Sequence, residues 1–193
     1  MGRVHAPIGR GGSTVREKID ALERAGEILG ALTPGALVTV KVDGAVNPMT
    51  IGWGMLGIEW RKPVFIAYIR QDRYTHELLE RADCFTVNVP VPTGDDGADR
   101  RVRRILGFCG SRSGRDTDKV AELGLTLVDG ETVDAPAIRE LPLTLECHII
   151  YRRDQDTSLM SAGLRDGIYG TAAAEGLCHT AYYGEVTDAY LLR

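Results

Sequence analysis

The chain has 193 residues, of which 44% are apolar, and its formal net charge is -4. This length fits one domain with a proper hydrophobic core, and the negative charge argues against a general nucleic-acid binder, which needs a basic face. No apolar run reaches the roughly 18 residues of a membrane span, so we expect neither nucleic acid nor a membrane as a partner.

The cysteines indicate a reducing compartment. They are far apart in the sequence and form no Cys-x-x-Cys pair: Cys84, Cys109, Cys147 and Cys178. The four histidines show no ligand spacing either, so we expect no metal site. No apolar segment follows the first arginines, so no signal peptide is expected. These features together predict a cytoplasmic protein with reduced thiols.

The N-terminal segment is predicted to form an arm and a helix. Residues 1–13, which include GRGGS, predict a flexible arm. From Thr14, a candidate N-cap, the run VREKIDALERAGEILGAL has apolar residues at helical spacing and predicts a helix ending near Pro34. We therefore divide the chain into an N-terminal arm and helix over residues 1–30 and a main domain over residues 31–193.

The main domain alternates strand signals with short helical ones. Strands are predicted at LVTVKV, NPMTIGWG, VFIAYI, CFTVNV, LTLV, LTLECHIIY and CHTAYYGEV. Asp43-Gly44, between the first two strands, is a strong hairpin signal. Short helices are predicted at RYTHELLERA, RVRRILGFC and DTDKVAELG, with PVPTGDDGADRR as a loop and residues 152–177 as a long connection.

This order of elements favours one fold class. Strands joined by hairpins and short helices, without regular βαβ alternation, predict a mainly β protein with an antiparallel barrel. A Rossmann fold is excluded because GRGGS precedes every predicted strand and no G-x-G-x-x-G motif opens a helix.

The segment NPMTIGWGMLG, residues 47–57, has the composition of a ligand-contacting surface. It places three glycines, Gly52, Gly54 and Gly57, in an apolar stretch. Glycine weakens a strand and often marks the close approach of a ligand or of another backbone. The same segment offers hydrogen-bonding side chains and, at Trp53, a flat ring for stacking.

Two further segments have the composition of phosphate-binding sites. In RQDRYT, residues 70–75, two arginines and Thr75 lie where a strand ends and a helix begins, which favours anion binding. SRSGRDTDK, residues 111–119, repeats this chemistry at a second helix start. Taken singly, the arginines are better explained as solvated charges, and Trp53 is explained equally well as a core residue. All three segments nevertheless lie at strand ends or loop–helix joints, where binding residues collect.

Several motifs resemble one protein family. NPMTIGWG, KPVFIAYIRQDRYTHELLERADCFTVNVP, CGSRSGRDTDK, LPLTLECHIIY and CHTAYYGEV are similar to segments of the flavin reductase-like, FMN-binding split-barrel proteins. Within that family, the Asn-Pro-Met-Thr opening and Trp53 are most similar to the flavoredoxins. The resemblance covers about Leu37 to Val186 and implies an antiparallel split barrel that is a homodimer and binds one FMN per subunit without a covalent bond.

The resemblance also implies a set of site residues. The implied FMN-binding residues are Asn47, Met49, Thr50, Ile51, Gly52, Trp53, Arg70, Arg73, Tyr74, Thr75, Asn88, Ser113, Gly114, Arg115 and Lys119. Thr50 and Trp53 would border the isoalloxazine ring, the arginine segments would surround the phosphate, and Asn88 would close the site. His179 matches a histidine of the NAD(P)H-dependent members and is the candidate catalytic residue. Cys178 departs from the pattern, because those members usually have an acid there.

Three functions remain open at this point. The first is an NAD(P)H-dependent flavin oxidoreductase that passes electrons through bound FMN to flavin or to another small-molecule acceptor. The second is a flavoredoxin-type FMN electron carrier, reduced by a redox partner protein and without its own NAD(P)H activity. The third is a relative with the same barrel and another ligand, such as heme or pyridoxal phosphate. The tryptophan and the glycine-rich edge favour the larger flavin, and we favour the enzyme over the carrier.

Overall fold

The computed structural model describes residues 15–173 and 175–193. The arm predicted over residues 1–13 and the N-cap predicted at Thr14 lie outside these residues. Within the described ranges, no helix is both long enough and apolar enough to cross a membrane.

The described residues form strands connected by short helices. The strands are β1 (Arg16–Lys18), β2 (Ala36–Val42), β3 (Ala45–Ile51), β4 (Gly54–Glu59), β5 (Lys62–Arg70), β6 (Cys84–Val89), β7 (Leu127–Val128), β8 (Ala137–Ile138), β9 (Leu143–Asp154) and β10 (His179–Leu192). The helices are α1 (Ala25–Ala31), α2 (Tyr74–Leu79), α3 (Asp96–Ser111), α4 (Lys119–Leu123) and α5 (Ala162–Ile168), with 3-10 turns at Thr157–Leu159 and Gly170–Ala173.

Eight of these strands form one antiparallel sheet in the order β3-β2-β6-β9-β10-β5-β4, and β1 also pairs with β10. Strands β7 and β8 form a separate two-stranded ladder. Strands β3 and β4 are the two ends of the large sheet in the described part of the chain, so the barrel is split rather than closed. The predicted mainly β, antiparallel split barrel is confirmed.

The interior of the barrel holds large apolar side chains from several strands. Phe65 of β5, Phe85 of β6 and Tyr182 of β10 are fully buried in one cluster, and Ile28 of α1 packs into the same cluster. Burying an aromatic side chain of this size contributes about 1.5–3 kcal/mol. The barrel interior is therefore filled by side chains, which leaves its ends and outer face for binding.

Two tight hairpins connect the first strands. Asp43 (φ 51°) and Gly44 (φ 79°) both have positive φ, as a type I′ turn requires, so the predicted hairpin is confirmed. The turn between β4 and β5 has the same backbone sign at Trp60 (φ 50°) and Arg61 (φ 62°), where neither residue is glycine. A left-handed backbone costs such residues roughly 1–2 kcal/mol each.

The helix predicted from Thr14 to about Pro34 is wrong in its first half. Arg16, Glu17 and Lys18 form strand β1 and pair with Leu192, Leu191 and Tyr190 of β10. The side chain of Asp20 then accepts a hydrogen bond of 2.7 Å from the backbone N–H of Leu22, which turns the chain before α1. Sheet hydrogen bonds with a distant strand therefore override the helical spacing of the sequence.

Three other predicted boundaries are corrected. Helix α3 begins inside the predicted loop, because the side chain of Asp95 accepts hydrogen bonds from the N–H groups of Gly97 and Ala98 and caps it. Strand β4 was not predicted separately, since Gly52 and Trp53 interrupt what the sequence presents as one strand. The predicted connection over residues 152–177 contains the end of β9, helix α5 and both 3-10 turns.

A buried carboxylate fastens the loop after β7 to the sheet. Glu146 of β9 is fully buried, and its carboxylate accepts hydrogen bonds from the N–H groups of Glu131 (2.9 Å) and Thr132 (2.6 Å). The hydroxyls of Thr132 (2.7 Å) and Tyr190 (2.8 Å) also donate to it. Burial alone would raise the pKa of Glu146, but these four donors outweigh burial and lower it.

We predict that Glu146→Gln destabilises the protein by about 2–3 kcal/mol, because the amide turns an N–H group toward donors that need an acceptor. Urea unfolding at pH 7 measures this, with Glu23→Gln on the surface as the control. The pKa of the Glu146 carboxyl is lower in the folded protein than in the unfolded chain, where it is about 4.3. The stabilisation by Glu146 is therefore complete above pH values of about 4.3 and is lost as the pH falls through the folded-state pKa. An unchanged unfolding midpoint in Glu146→Gln would contradict this assignment.

Candidate functional site

Two adjoining cavities lie beside the β3–β4 break. The larger has a volume of about 330 Å³ and is lined by Met49, Thr50, Ile51, Gly52, Trp53, Tyr68, Arg70, Arg73, Gly110, Gly167, Ile168 and His179. The smaller, of about 110 Å³, is lined by Met49, Asp72, Arg73, Tyr74, Thr75, Cys109, Gly110, Ser111, Arg112, Ser113, Gly114, Arg115 and Lys119. Because the cavities share Met49, Arg73 and Gly110, we treat them together as the cleft.

The glycines of the NPMTIGWGMLG segment contribute differently from the interpretation made from sequence. A Cβ atom on Gly54 would lie 2.7 Å from the Phe65 ring, so the barrel core requires glycine there. A Cβ on Gly57 would meet nothing within 4 Å, and one on Gly52 would lie at an ordinary 3.5 Å from the Leu32 carbonyl. Of the three, only Gly52 lines the cleft.

Thr50 connects β3 to helix α3. Its hydroxyl donates a 2.7 Å hydrogen bond to the carbonyl of Leu106, and Gly110 on the same helix would place a Cβ 3.4 Å from the Thr50 Cβ. The single hydroxyl proton is therefore used within the protein. Toward a ligand in the larger cavity, Thr50 can act only as a hydrogen-bond acceptor.

Trp53 and His179 are in contact at the larger cavity, with their ring planes tilted by 36°. Their ring centroids are 4.5 Å apart, and Trp53 is still 43% exposed. Burial, and next the charge of Arg70, lowers the pKa of His179 to about 4, so its imidazole is neutral at pH 7. The antiparallel register between β10 and β5 sets His179 directly opposite Arg70.

Arg70 and Arg73 flank a single carboxylate. The Nε atoms of Arg70 and Arg73 lie 3.4 Å and 3.5 Å from the two oxygens of Asp72. The Arg70–Asp72 distance is that of an ion pair, yet no described residue forms a hydrogen bond with the buried Nε of Arg70, because the contact lacks hydrogen-bond alignment. One carboxylate shared by two guanidinium groups leaves N–H donors for an anion.

The floor of the smaller cavity contains a buried lysine. The Nζ atom of Lys119 donates to the carbonyls of Pro48 (2.9 Å) and Cys109 (3.1 Å) and so links β3 to α3. Burial lowers the pKa of Lys119. An ammonium group has three donors, so Lys119 keeps one N–H group beyond these two carbonyls.

The turn between α3 and α4 forms one wall of the smaller cavity. The guanidinium of Arg115 lies 5.5 Å from the centre of the Tyr74 ring and pairs with Glu77. The hydroxyl of Ser113 accepts a 3.2 Å hydrogen bond from the backbone N–H of Arg115. A Cβ on Gly114 would lie 2.0 Å from the Asn47 side-chain oxygen, so the turn approaches β3 more closely than any other residue type permits.

Asn47 and Thr75 support the smaller cavity from inside. Both are buried, and the Asn47 amide donates a 2.9 Å hydrogen bond to the Thr75 hydroxyl, which joins β3 to the start of α2. Thr75 lines the cavity, whereas Asn47 reaches it only through its contact with the turn at Gly114.

Asn88 lies away from the cleft. It is fully buried on β6 and lines neither cavity. Its side-chain oxygen accepts a hydrogen bond from the Thr39 hydroxyl (2.9 Å), and its amide donates to the Thr144 hydroxyl (3.3 Å). We correct the prediction accordingly: Asn88 satisfies polar groups between neighbouring strands and does not close the site.

Several residues that line the cleft were not predicted from the sequence. Tyr68 could have been found, because Tyr68 and Arg70 are two positions apart on one strand and therefore share a face. Gly167 and Ile168 belong to the segment predicted only as a connection, and no sequence pattern places them near Trp53. Tyr169, which follows them, brings its hydroxyl to 2.7 Å from the Nδ1 atom of His179.

The chain is similar to known proteins in sequence and in structure. A protein of Aeropyrum pernix, itself uncharacterized, is 28% identical over 157 residues, which is 81% of this chain and 52% of the relative. The chain spans about half the length of the curated relatives that it matches. Flavoredoxin of Desulfovibrio vulgaris (Miyazaki F) has a similar structure, with a TM-score of 0.58, 25% identity, and coverage of 82% of this chain and 69% of that chain.

A third protein is similar to this chain in fold alone. The NADH:FAD oxidoreductase SgcE6 of Streptomyces globisporus has a TM-score of 0.56 at 20% identity, over 81% of this chain and 74% of that chain. The model of one family, described as the flavin reductase like domain, matches residues 31–193. This match covers most of the chain, and with the split barrel described above it shows that the protein belongs to the flavin reductase-like domain family.

Proposed function

We propose that this chain binds FMN without a covalent bond in the cleft and uses it to pass electrons from NADH or NADPH to flavin or to another small-molecule acceptor. One observation carries the proposal. A larger cavity with tryptophan, tyrosine and glycine in its walls shares Met49, Arg73 and Gly110 with a smaller one, in which arginine, lysine and serine are concentrated. That contrast matches a flat aromatic ring joined to a phosphate, and the larger cavity falls within the roughly 300–1,000 Å³ of small-molecule sites.

The residues of the smaller cavity fit a phosphate. Within residues 15–173 and 175–193, Arg73 has only the shared Asp72 carboxylate as its ion-pair partner, and Lys119 keeps one N–H group beyond its two bonds to carbonyls. Arg115 pairs with Glu77 across an exposed surface, where ion pairs contribute little, so a phosphate competes for its guanidinium at small cost. Tyr74 holds the apolar side of that guanidinium in place.

The residues of the larger cavity fit a flavin ring. Trp53 and Tyr68 supply flat apolar surface, while Thr50 offers a hydroxyl oxygen that accepts an N–H group. The guanidinium group of Arg70 also lines this cavity and carries further N–H donors. FMN, when bound, supplies the two-electron chemistry, and the protein controls orientation, hydrogen bonding and access of water.

NADH or NADPH is proposed as the electron donor because of the groups beside Trp53. A nicotinamide must stack close to the flavin to transfer a hydride. The neutral His179 imidazole and the exposed indole of Trp53 offer two flat, uncharged rings there. The similarity to flavoredoxin supports the second candidate, an FMN electron carrier that a redox partner protein reduces.

We also propose that the protein is a homodimer. Trp60 at the tip of the β4–β5 hairpin is 53% exposed, and its ring centre lies 5.8 Å from that of Tyr151 and 5.9 Å from that of Tyr183. Ile58 nearby is 70% exposed on a strand at the end of the sheet. A second copy is the proposed cover for this apolar face, because an uncovered sheet end invites association. The left-handed backbone at Trp60 and Arg61 holds the indole in this position.

The proposed compartment is the cytoplasm, where NADH and NADPH are available. The cysteines in the described residues are free and buried: Cys84, Cys109, Cys147 and Cys178. Free thiols suit a reducing environment.

We predict that the double variant Arg73→Ala and Arg115→Ala weakens FMN binding by about 100-fold or more, since charge-assisted phosphate contacts contribute about 1.5–3 kcal/mol each. Fluorescence titration with FMN measures the affinity at moderate salt. The control is Arg100→Ala with Arg104→Ala, which removes the same charge from exposed positions on α3. Equal affinities of the two double variants would remove Arg73 and Arg115 from the site, and a wild type that binds no FMN would end the proposal.

We predict that His179→Ala slows anaerobic reduction of the bound FMN by NADH or NADPH about 10-fold while FMN affinity stays within about threefold, because His179 faces the donor side and not the phosphate cavity. Stopped-flow absorbance measures the rate, with His148→Ala as a control distant from the cleft. Equal rates would clear His179 of a role. A wild type that neither dinucleotide reduces would favour the electron-carrier function.

We predict that Trp60→Asp converts a dimer, with about twice the 21.0 kDa chain mass, into a monomer, because it places a charge in the proposed apolar interface. Light scattering coupled to gel filtration measures the mass. Leu159→Asp changes an even more exposed apolar residue outside this face and should leave the dimer intact. A wild-type monomer with FMN bound would contradict the proposal.

A further inference from the structure

Three side chains form a hydrogen-bonded line behind the cleft. The Nδ1 atom of His179 is 2.7 Å from the Tyr169 hydroxyl, and that hydroxyl is 3.0 Å from the side-chain oxygen of Gln155. The backbone N–H of Gln155 also donates a 2.9 Å hydrogen bond to the His179 carbonyl, which fixes the two residues side by side. Tyr169 is 6% exposed, so the residue as a whole is buried.

This line determines where the imidazole carries its proton. A tyrosine hydroxyl has one proton to donate, and the oxygen of Gln155 can only accept it. With the Gln155 oxygen toward Tyr169, the Tyr169 oxygen is left as an acceptor toward His179, and this arrangement assigns the hydrogen to Nδ1. A neutral imidazole has one N–H group, which leaves Nε2 with a lone pair.

The other edge of the ring is free. Among the described residues, none forms a hydrogen bond with Nε2 of His179, although the ring lines the larger cavity and stacks on Trp53. Burial and the charges of Arg70 and Arg73 lower the pKa of this ring, and they outweigh the opposing charge of Asp72, so the ring is neutral at pH 7. The exposed nitrogen is therefore an unprotonated acceptor.

We infer that Tyr169 and Gln155 are positioning residues that hold His179 as a hydrogen-bond acceptor, so that the cleft selects a ligand presenting an N–H group beside Trp53. The inference rests on the proposed function for the identity of that ligand. Reduced nicotinamide carries a carboxamide, whose NH₂ group is such a donor. The corresponding nicotinic-acid dinucleotide carries a carboxylate, which has no proton to offer and faces the Nε2 lone pair unfavourably.

The tautomer is tested first, by a measurement that does not depend on activity. Long-range proton–nitrogen NMR of the FMN-loaded protein with ¹⁵N-labelled histidine distinguishes Nδ1–H from Nε2–H, and the spectrum of His179→Ala assigns the signal. We expect Nδ1–H at pH 7 in the wild type and a mixture of both tautomers in Tyr169→Phe, which keeps the ring and removes the hydroxyl. Tyr182→Phe is the matched control, because it also loses one hydroxyl hydrogen bond, to Glu80, without touching His179. A wild-type Nε2–H signal overturns the inference.

Selectivity is tested second, by anaerobic reduction of the bound FMN with NADH and with its nicotinic-acid analogue. We expect the wild type and Tyr182→Phe to prefer NADH by about 10-fold in kcat/KM, the value of one hydrogen bond, and Tyr169→Phe to lose most of that preference. The same preference in Tyr169→Phe and in the wild type overturns the inference while the proposed function stands. Failure of both dinucleotides to reduce the wild type overturns the proposed donor and the carboxamide assignment, whereas the NMR result still decides the tautomer.

Discussion

The cleft depends on the antiparallel register between β5 and β10. That register sets Arg70 directly opposite His179, so a cationic side chain and a neutral aromatic one stand next to each other at one end of the sheet. Strand β10 is also held by β9 along most of its length and by β1 at its far end. A shift of one residue would turn His179 to the other face of the sheet and away from Trp53.

Internal hydrogen bonds decide which chemistry the cleft can offer. Thr50 gives its proton to helix α3, and Lys119 gives two of its three to backbone carbonyls. These contacts fix helix α3 against strand β3, and they leave one acceptor oxygen and one N–H group for a ligand. Buried polar groups are costly unless they are paired, so the same bonds that stabilise the fold also limit what can bind.

Charge is distributed unevenly between the cleft and the rest of the molecule. The chain as a whole has a formal net charge of -4, yet the smaller cavity is lined by Arg73, Arg112, Arg115 and Lys119 against the single carboxylate of Asp72. Such a local excess attracts an anionic ligand that the overall charge would repel. The neutral His179 lies in the larger cavity, at the other end of the cleft, where its imidazole and Trp53 present uncharged rings.

The sequence by itself determined the fold class, the Asp43-Gly44 turn and the segments that meet at the cleft, because hairpin signals, alternation and arginines at helix starts depend on residues close together in the chain. It could not determine that Arg16–Lys18 forms a strand or that Gly54 accommodates Phe65, since both follow from contacts with distant strands. Asn88 illustrates the same limit, because its partners lie on two neighbouring strands. Only the tertiary structure brought Tyr169 to His179, since the segment between β9 and β10 has no pattern that indicates where it packs.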